Sequence, residues 1–269
     1  MEHSPLKVCV AGATGHVGQA LVRAVAGSRD LVLVGAVSRR SQGRRLGTLL
    51  NDARLDLTVS GTVAEALTMP TDVLIDYTRA DAVKQHVLTA LGLGVHVVIG
   101  TSGLTEEDYQ ESHAAALARG LGVFAAGNFA ITAVLLQRFA AAARHVPHWE
   151  IIDYGRAEKI DAPSGTSREL AHRLAGVAQP QVAHPVEATV GVKEARGGTV
   201  DGSRVHSVRL PGYSGIEILF GLPGERLSLR HDSTDSALPY VAGTLLAVRQ
   251  VHALRGLVRG LDQLLDLGG

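Results

Sequence analysis

Two stretches of this sequence gather residue types suited to holding anions. The first, Gly12-Ala13-Thr14-Gly15-His16-Val17-Gly18, repeats glycine every third residue between an apolar run and a helical pattern. Glycines there permit a tight turn and close approach of backbone to a pyrophosphate, and the helix that follows presents free N–H groups and a partial positive charge. The second stretch, Lys159-Ile160-Asp161-Ala162-Pro163-Ser164-Gly165-Thr166, precedes a helical pattern over residues 167–174. A Ser-Gly-Thr turn opening a helix offers hydroxyls and unpaired N–H groups to a carboxylate. Lys159 beside it can balance charge and, at a suitable pKa, donate a proton. Taken alone, this stretch reads better as a plain helix cap by Ser164 or Thr166 next to a surface lysine.

A third feature bears on the first. About 20 residues past the last glycine, NAD-binding strands tend to end in Asp or Glu for the ribose hydroxyls; here the chain has Ser38-Arg39-Arg40. No carboxylate repels a 2′-phosphate at that point and two guanidiniums can receive it, so NADPH is expected to be preferred, with NADH possible. A solvated basic loop is the alternative.

The elements that must position these residues follow from apolar patterning. Runs at residues 8–11, 31–37, 73–76, 95–99 and 121–125 are continuous rather than alternating, as strands of a parallel sheet covered on both faces are. Helical patterns at 17–25, 82–91 and 106–118 lie between them and predict a doubly wound α/β domain of Rossmann type. After Asn128 the pattern changes to a long helix over 131–144, a strand over 149–154, and strand-like runs at 186–192, 204–210, 216–220 and 226–230. These predict an inserted α+β domain carrying an open mixed, largely antiparallel sheet. A helix over 237–254 suggests a return to the first domain, so the expected organisation is a discontinuous dinucleotide-binding domain, 1–128 and 237–269, and a substrate-binding and oligomerisation domain, 129–236.

Composition bounds the partners. Lys plus Arg and Asp plus Glu are 26 each, which excludes the large basic field that nucleic acid or an acidic membrane needs. The longest apolar stretch, 125–143, is broken by Asn128, Gln137 and Arg138, so no membrane span is expected. The single cysteine, Cys9, sits in an apolar run and reads as a buried side chain in a reducing cytoplasm, and no secretory signal is expected at the N-terminus. His145 and His148 lack a metal-ligand set, and no metal is expected.

Lys-Ile-Asp-Ala-Pro-Ser-Gly-Thr closely resembles the signature of the dihydrodipicolinate reductase family, and the resemblance covers nearly the whole chain. Ile75-Asp76-Tyr77-Thr78 and Ile99-Gly100-Thr101-Ser102-Gly103 look like its strand ends facing the nicotinamide, and Gly127-Asn128-Phe129 resembles its domain crossover. Glu194-Ala195-Arg196-Gly197-Gly198 and Ser207-Val208-Arg209-Leu210-Pro211-Gly212 match its second-domain sheet. The resemblance implies cofactor contacts at Gly12, Ala13, Thr14, Gly15, His16, Val17, Arg39, Gly100, Thr101, Ser102, Ala126, Gly127, Asn128 and Phe129, with Ser38, Arg40 and Thr78 beside them. It also implies a cyclic dicarboxylate between the domains, one carboxylate at Gly165 and Thr166, and Lys159 as the catalytic proton donor. Ser164 and Arg156 join the expected substrate contacts, and a tetramer through the second-domain sheet is implied.

The chain departs from the family where a His-His pair usually precedes the lysine: it has Gly155-Arg156. Arginine binds anions but stays protonated, so Arg156 keeps the electrostatic role and loses any proton relay. Ala130, Thr132 and Ser236, and the lack of a histidine over 212–217, are further departures that suggest a remodelled pocket. The expected activity is NADPH-dependent reduction of 4-hydroxy-tetrahydrodipicolinate or a related cyclic imine-like carboxylate. The rival expectation is a relative that binds NADPH as a sensor or scaffold without catalysis.

Overall fold

The computed structural model describes residues 4–142, 145–182, 184–234 and 236–265. They form two compact units, one reaching to Ile131 and resuming at Ala237, the other spanning Thr132–Ser236. Strands β1 (Leu6–Ala11), β2 (Leu31–Val37), β3 (Val73–Asp76), β4 (His96–Ile99) and β5 (Gly122–Ala125) belong to the first unit, β6 (His148–Gly155), β7 (Gly198–Val200), β8 (Ser203–Arg209), β9 (Ser214–Leu222) and β10 (Glu225–Ser233) to the second, and β11 (Gly256–Arg259) to the first again. The helices are α1 (His16–Ala26), α2 (Leu46–Leu50), α3 (Val63–Ala66), α4 (Ala80–Gly92), α5 (Glu106–Leu117), α6 (Ile131–Ala142), α7 (Gly165–Ala175) and α8 (Leu238–Gln250).

The first unit's sheet runs β11-β5-β4-β3-β1-β2 with every neighbouring pair parallel. Parallel strands covered on both faces must be apolar throughout, which is why Val8, Cys9, Val10, Leu74, Ile75, Val97 and Val98 have no exposed surface. Fully burying a side chain of the Val, Leu or Ile class contributes about 1.5–3 kcal/mol. Burial pushes the Cys9 thiol up to about 12, the nearby Asp76 charge adding to the effect, so this cysteine packs and does not react. The sheet order reverses between β1 and β3, and the crevice beyond the carboxyl ends of those strands is where an open α/β sheet receives a ligand. Helix α5 starts at a capping box in which Thr105 Oγ1 accepts from Asp108 N at 3.2 Å and Asp108 Oδ2 accepts from Thr105 N at 2.9 Å.

The second unit's sheet is open and mixed, in the order β10-β9-β6-β8-β7, with β6 and β8 parallel and the other pairs antiparallel. Strand β6 alternates buried and half-buried residues along its length, so one face packs and the other stays accessible. Its Trp149 and Ile151, with Val205, Ile216, Ile218 and Phe220, meet Leu136 and Ala140 of α6 and Leu170, Ala171 and Leu174 of α7.

Several expectations need correction. The strand expected over 186–192 is a 3-10 turn, Val186–Ala188, followed by loop and a second 3-10 turn, Lys193–Arg196. Val190 and Val192 face water, Val190 being 99% exposed, and Gly191 has φ +100°, a backbone no paired strand uses. The helix expected over 237–254 ends at Gln250 and continues as a 3-10 turn, Val251–Ala253. The helix expected over 131–144 is α6; residues 143 and 144 lie outside the described residues. Among the described residues no helix is long and apolar enough to cross a membrane.

Candidate functional site

The glycine turn lies between β1 and α1, at the switch point of the sheet. Gly12 has φ +83°, and a Cβ on it would sit 2.2 Å from the Tyr77 carbonyl oxygen at the end of β3. A Cβ on Gly18 would fall 1.9 Å from the Gly12 carbonyl oxygen. Both glycines are therefore demanded by backbone meeting backbone, and the turn is as tight as a pyrophosphate cradle needs. Gly15 caps α1 and carries no side chain to occupy the helix N-terminus, and the first turn has no acidic residue. The amides there are left to an anion. Ala13 is fully buried and gives its N–H to the Val37 carbonyl at 3.1 Å, whereas His16 is exposed and Val17 half-buried.

A cavity of about 670 Å³ opens beside this turn, lined by Gly12, Gly15, Ser38, Arg39, Arg40, Thr62, Thr78, Arg79, Gln85 and His86 among others. It is the size of a cofactor pocket. Its described lining includes three arginines and no carboxylate. Arg79 is already paired, both its Nε and Nη2 reaching Asp81 at 3.0 and 3.2 Å. That contact outweighs the opposing effect of burial and, helped by the more distant Arg39 charge, holds the Asp81 carboxyl below its ordinary value. Arg39 and Arg40 are exposed on a 3-10 turn, Arg39–Ser41, at the end of β2. The Ser38 hydroxyl meets the Thr14 hydroxyl at 2.7 Å, linking the two loops that frame the cavity.

The neighbouring strand ends are joined by a buried carboxylate. Asp76, the last residue of β3, has no exposed surface. Its Oδ1 accepts from Thr78 N at 3.0 Å, Thr78 Oγ1 at 2.7 Å and Thr101 Oγ1 at 2.6 Å, and its Oδ2 meets His86 Nδ1 at 2.8 Å. This ties together the ends of β3 and β4, where Thr78 and Thr101 lie. Gly100 is kept small by the Tyr77 ring, which a Cβ would meet at 2.1 Å, and the Tyr77 hydroxyl pairs with Thr244 of α8 at 2.9 Å. Ser102 is exposed in the loop after β4, and beyond β5 Ala126 and Asn128 are half-buried and Gly127 exposed. Phe129 is 2% exposed and packs its ring against Phe124 and Tyr77, so its side chain belongs to the core and its backbone alone is offered to a ligand.

In the second unit, the turn between β6 and α7 is organised by Asp153. This carboxylate, in the middle of the packed face, has a fully buried side chain. It accepts from Ser164 N at 2.9 Å, Ser167 Oγ at 2.9 Å, Ser207 Oγ at 3.2 Å and Arg209 Nη2 at 2.8 Å. Burial alone would raise its pKa, but the donors from Ser164, Arg209 and Ser167 outweigh burial and hold the carboxyl below its ordinary value. Ser164 is the N-cap of α7 and accepts from Ser167 N at 3.3 Å. Its hydroxyl and its N–H are thus committed inside the protein, which makes Ser164 the organiser of the helix mouth. Gly165 and Thr166 form the first two positions of α7; nothing lies within 4 Å of where a Gly165 Cβ would be. Lys159, about one-third exposed, places Nζ 2.7 Å from Asp161 Oδ1, and Arg168 Nη2 lies 3.9 Å from Asp161 Oδ2. The Lys159 contact comes first among the causes that lower the Asp161 pKa. Arg156 is exposed just past the end of β6 and its carbonyl accepts from Lys159 N at 3.1 Å.

The structure therefore gathers Gly12, Gly15, Ser38, Arg39, Arg40 and Thr78 around one cavity, and Arg156, Lys159, Ser164, Gly165 and Thr166 on one turn. Sequence reasoning gave no role to the one carboxylate at the centre of each cluster, Asp76 and Asp153, nor to His86, Ser167 and Arg209. A single acid closing an otherwise apolar strand was the available signal at Asp76; Asp153 shares its strand with Glu150 and does not stand out in that way.

Comparison with known proteins bears on both clusters. The family profile described as "Dihydrodipicolinate reductase, N-terminus" matches residues 6–129, and "Dihydrodipicolinate reductase, C-terminus" matches residues 130–265. A protein of Desulfitobacterium hafniense named 4-hydroxy-tetrahydrodipicolinate reductase is 41% identical over 97% of this chain and 99% of its own length. One of the same name from Moorella thermoacetica is 39% identical over 97% of this chain and 98% of its own. Among solved structures, dipicolinate-bound dihydrodipicolinate reductase from Paenisporosarcina sp. TG-14 superposes with a TM-score of 0.85 at 34% identity, covering 97% of this chain and 100% of that one. An amine dehydrogenase of Mycobacterium smegmatis, at 15% identity and a TM-score of 0.65 over 95% of each chain, shares the fold.

Proposed function

This chain belongs to the dihydrodipicolinate reductase family, and on that premise we propose that it reduces 4-hydroxy-tetrahydrodipicolinate, with NADPH preferred to NADH. It is an oxidoreductase that uses a pyridine nucleotide. The observation that carries the substrate assignment is the turn on Asp153: a capped helix mouth at Gly165 and Thr166 with the Lys159 ammonium on the same short segment. Helix N–H groups and a hydroxyl hold a carboxylate, and the ammonium balances the second negative charge of a dicarboxylate.

The residues of the first unit fit a dinucleotide. The turn at Gly12, Gly15 and Gly18 has room for backbone against a diphosphate and no room for side chains, and the cavity wall adds arginines without a carboxylate. When bound, a reduced nicotinamide supplies a hydride. Gly12, Gly15 and the amides opening α1 would hold the diphosphate, and Arg39 and Arg40 a 2′-phosphate. Thr78, Thr101 and Ser102 would line the nicotinamide end, with Asp76 keeping the first two in place. In the second unit, Gly165 and Thr166 bind a carboxylate of the ring, Arg156 adds a guanidinium, and Lys159 gives its Nζ proton to the reduced ring. The 2.7 Å contact with Asp161 orients that nitrogen before the substrate arrives. Loss of the ring hydroxyl as water accompanies the overall reaction.

The open face of the second sheet supports assembly as a homotetramer, which sedimentation measures directly. On that face the Tyr154 hydroxyl donates to Glu217 at 3.1 Å and the Arg230 guanidinium lies 4.8 Å from the Tyr154 ring centre. The test of the activity is consumption of NADPH, and separately of NADH, with freshly generated 4-hydroxy-tetrahydrodipicolinate, the Arg156→His variant alongside. Turnover with NADPH at lower KM than NADH supports the reading. Tight binding of NADPH and dipicolinate with no turnover across cyclic imines overturns it in favour of a sensor.

A further inference from the structure

The packed face of the second unit's sheet carries a row of residues of which the substrate turn uses only part. Ser207, Asp153, Ile216 and His231 are successive register partners across β8, β6, β9 and β10, so their side chains share that face. Asp153 holds the start of α7. Two strands away, about 10 Å at the usual strand spacing, His231 holds the start of α6. Its Nδ1 meets Thr132 Oγ1 at 3.1 Å, and Thr132 lies in the first turn of that helix. The same row therefore carries two helix starts, one on a carboxylate committed to the cap and one on an imidazole. Thr132 is exposed and His231 half-buried, so the second start is open to solvent.

Among the described histidines of this unit, His231 is the one on the packed face. His148 and His206 stand on the other face, one in the alternation of β6 and one opposite its Ile152, and His145, His172 and His184 are exposed outside the sheet. Thr132 is also a position where the chain departs from its family, so the hydroxyl partner of His231 occurs in the chain that lacks the histidine pair before Lys159. Charge around His231 is sparse among the described residues. Arg230 and Asp232 flank it on β10, turn to the other face and pair at 2.9 Å. Strand β9 presents Ser214, Ile216 and Ile218 on this side, the first charge along α6 is Arg138, and Asp153 beyond β9 is bound to Arg209. Burial holds the imidazole below the ordinary histidine value, against the weaker pull of Asp232, so an arriving anion is what favours its charged form. The Thr132 hydroxyl can donate to a neutral Nδ1 or accept from a protonated one. The contact thus survives protonation, and Nε2–H is left for an acceptor.

We propose that His231, held by Thr132, is a substrate-binding residue: it takes a proton from solvent as a dicarboxylate ring binds and receives the carboxylate that Gly165 and Thr166 do not hold. This rests on the reading of the α7 mouth as the site of the other carboxylate, and the experiment separates the two. Dipicolinate and picolinate, which has one carboxylate fewer, are titrated calorimetrically into the full-length wild type, His231→Gln and Thr132→Val, in buffers of different ionisation enthalpy. The wild type should take up protons with dipicolinate and none with picolinate, and should bind dipicolinate more tightly as pH falls from about 8 to about 6.5, the direction that proton uptake requires. His231→Gln should abolish the uptake and weaken dipicolinate about tenfold or more, the effect of losing one charged hydrogen bond. Its affinity for picolinate should stay within about twofold of wild type, and its NADPH affinity should be unchanged, because that site is in the other unit. Thr132→Val, which keeps the imidazole and removes its partner, should show a smaller loss confined to dipicolinate. Equal weakening of both rings in His231→Gln, or dipicolinate binding by the wild type without proton uptake, overturns the proposal and leaves the α7 mouth standing. A wild type that binds neither ring refutes the reading of that mouth, and the proposal falls with it.

Discussion

The arginines at the end of β2 give a quantitative expectation for cofactor choice. The 2′-phosphate that distinguishes NADPH from NADH carries about −1.5 to −2 charges near neutral pH. A hydrogen bond to a charged group contributes about 1.5–3 kcal/mol. Arg39 and Arg40 are both exposed, so the lower end applies, about 1.5 kcal/mol for each, or roughly tenfold in affinity. Arg39→Ala and Arg40→Ala should therefore each weaken NADPH about tenfold, and the double variant by less than a hundredfold because the two share one phosphate. NADH, lacking the group, should change by less than about twofold. Salt supplies an internal check: the screening length falls from about 10 Å at 0.1 M to about 3 Å at 1 M, so the NADPH preference of the wild type should shrink with salt and that of the double variant should not. Fluorescence titration of both nucleotides at two ionic strengths measures all of this. Equal weakening of NADPH and NADH, or an NADPH affinity indifferent to both substitutions, would refute the assignment of the 2′-phosphate to these side chains.

Two further expectations concern the scaffold. Asp153→Asn leaves Arg209 without its charged partner in a pair whose acid is wholly buried, and removing one partner of such a pair costs about 3 kcal/mol at the low end. For a chain of this size that is roughly 6–12 °C in Tm, read by calorimetry. The same carboxyl has a depressed folded-state pKa, so its contribution is complete above about pH 4 and is lost as pH falls through the lower folded value. Melting curves of wild type and Asp153→Asn should therefore converge toward low pH, and a constant gap would contradict the pairing. Gly12→Ala places a Cβ 2.2 Å from the Tyr77 carbonyl in a backbone at φ +83°, so it should lower Tm and abolish NADPH binding together. Retained nucleotide affinity in that variant would show that the turn is not a cradle.

Much of this architecture can be read from the chain. Strands β1 to β5 are continuous apolar runs because both faces of a parallel sheet are buried, and that leaves an unambiguous mark. Strand β11, Gly256–Arg259, leaves none: four residues at the edge beside β5, half of them partly exposed, look like loop. The stretch 186–192 shows the converse error, since its valines suit a strand locally but Pro185 and Gly191 break pairing, and the run stays in solvent. The anion turns were legible because their chemistry is local, glycines and hydroxyls within a few residues of a helix start. The devices that hold them were not. Arg209 is 56 residues from Asp153, and Thr101 is 25 from Asp76, so nothing in the spacing ties donor to acceptor until the strands are laid side by side. Ser164 shows the limit from another side: its type marks a helix mouth, and only the geometry reveals that its polar groups are spent on the cap itself.

The most direct test of the account is turnover of 4-hydroxy-tetrahydrodipicolinate by Lys159→Ala at saturating NADPH, with NADPH affinity measured on the same preparation. Removal of a positioned proton donor should slow the reaction about 10²- to 10⁴-fold while leaving nucleotide affinity as it was. Wild-type turnover in that variant would contradict the role given to Lys159 and, with it, the assignment of the turn before α7 as the place where the substrate reacts.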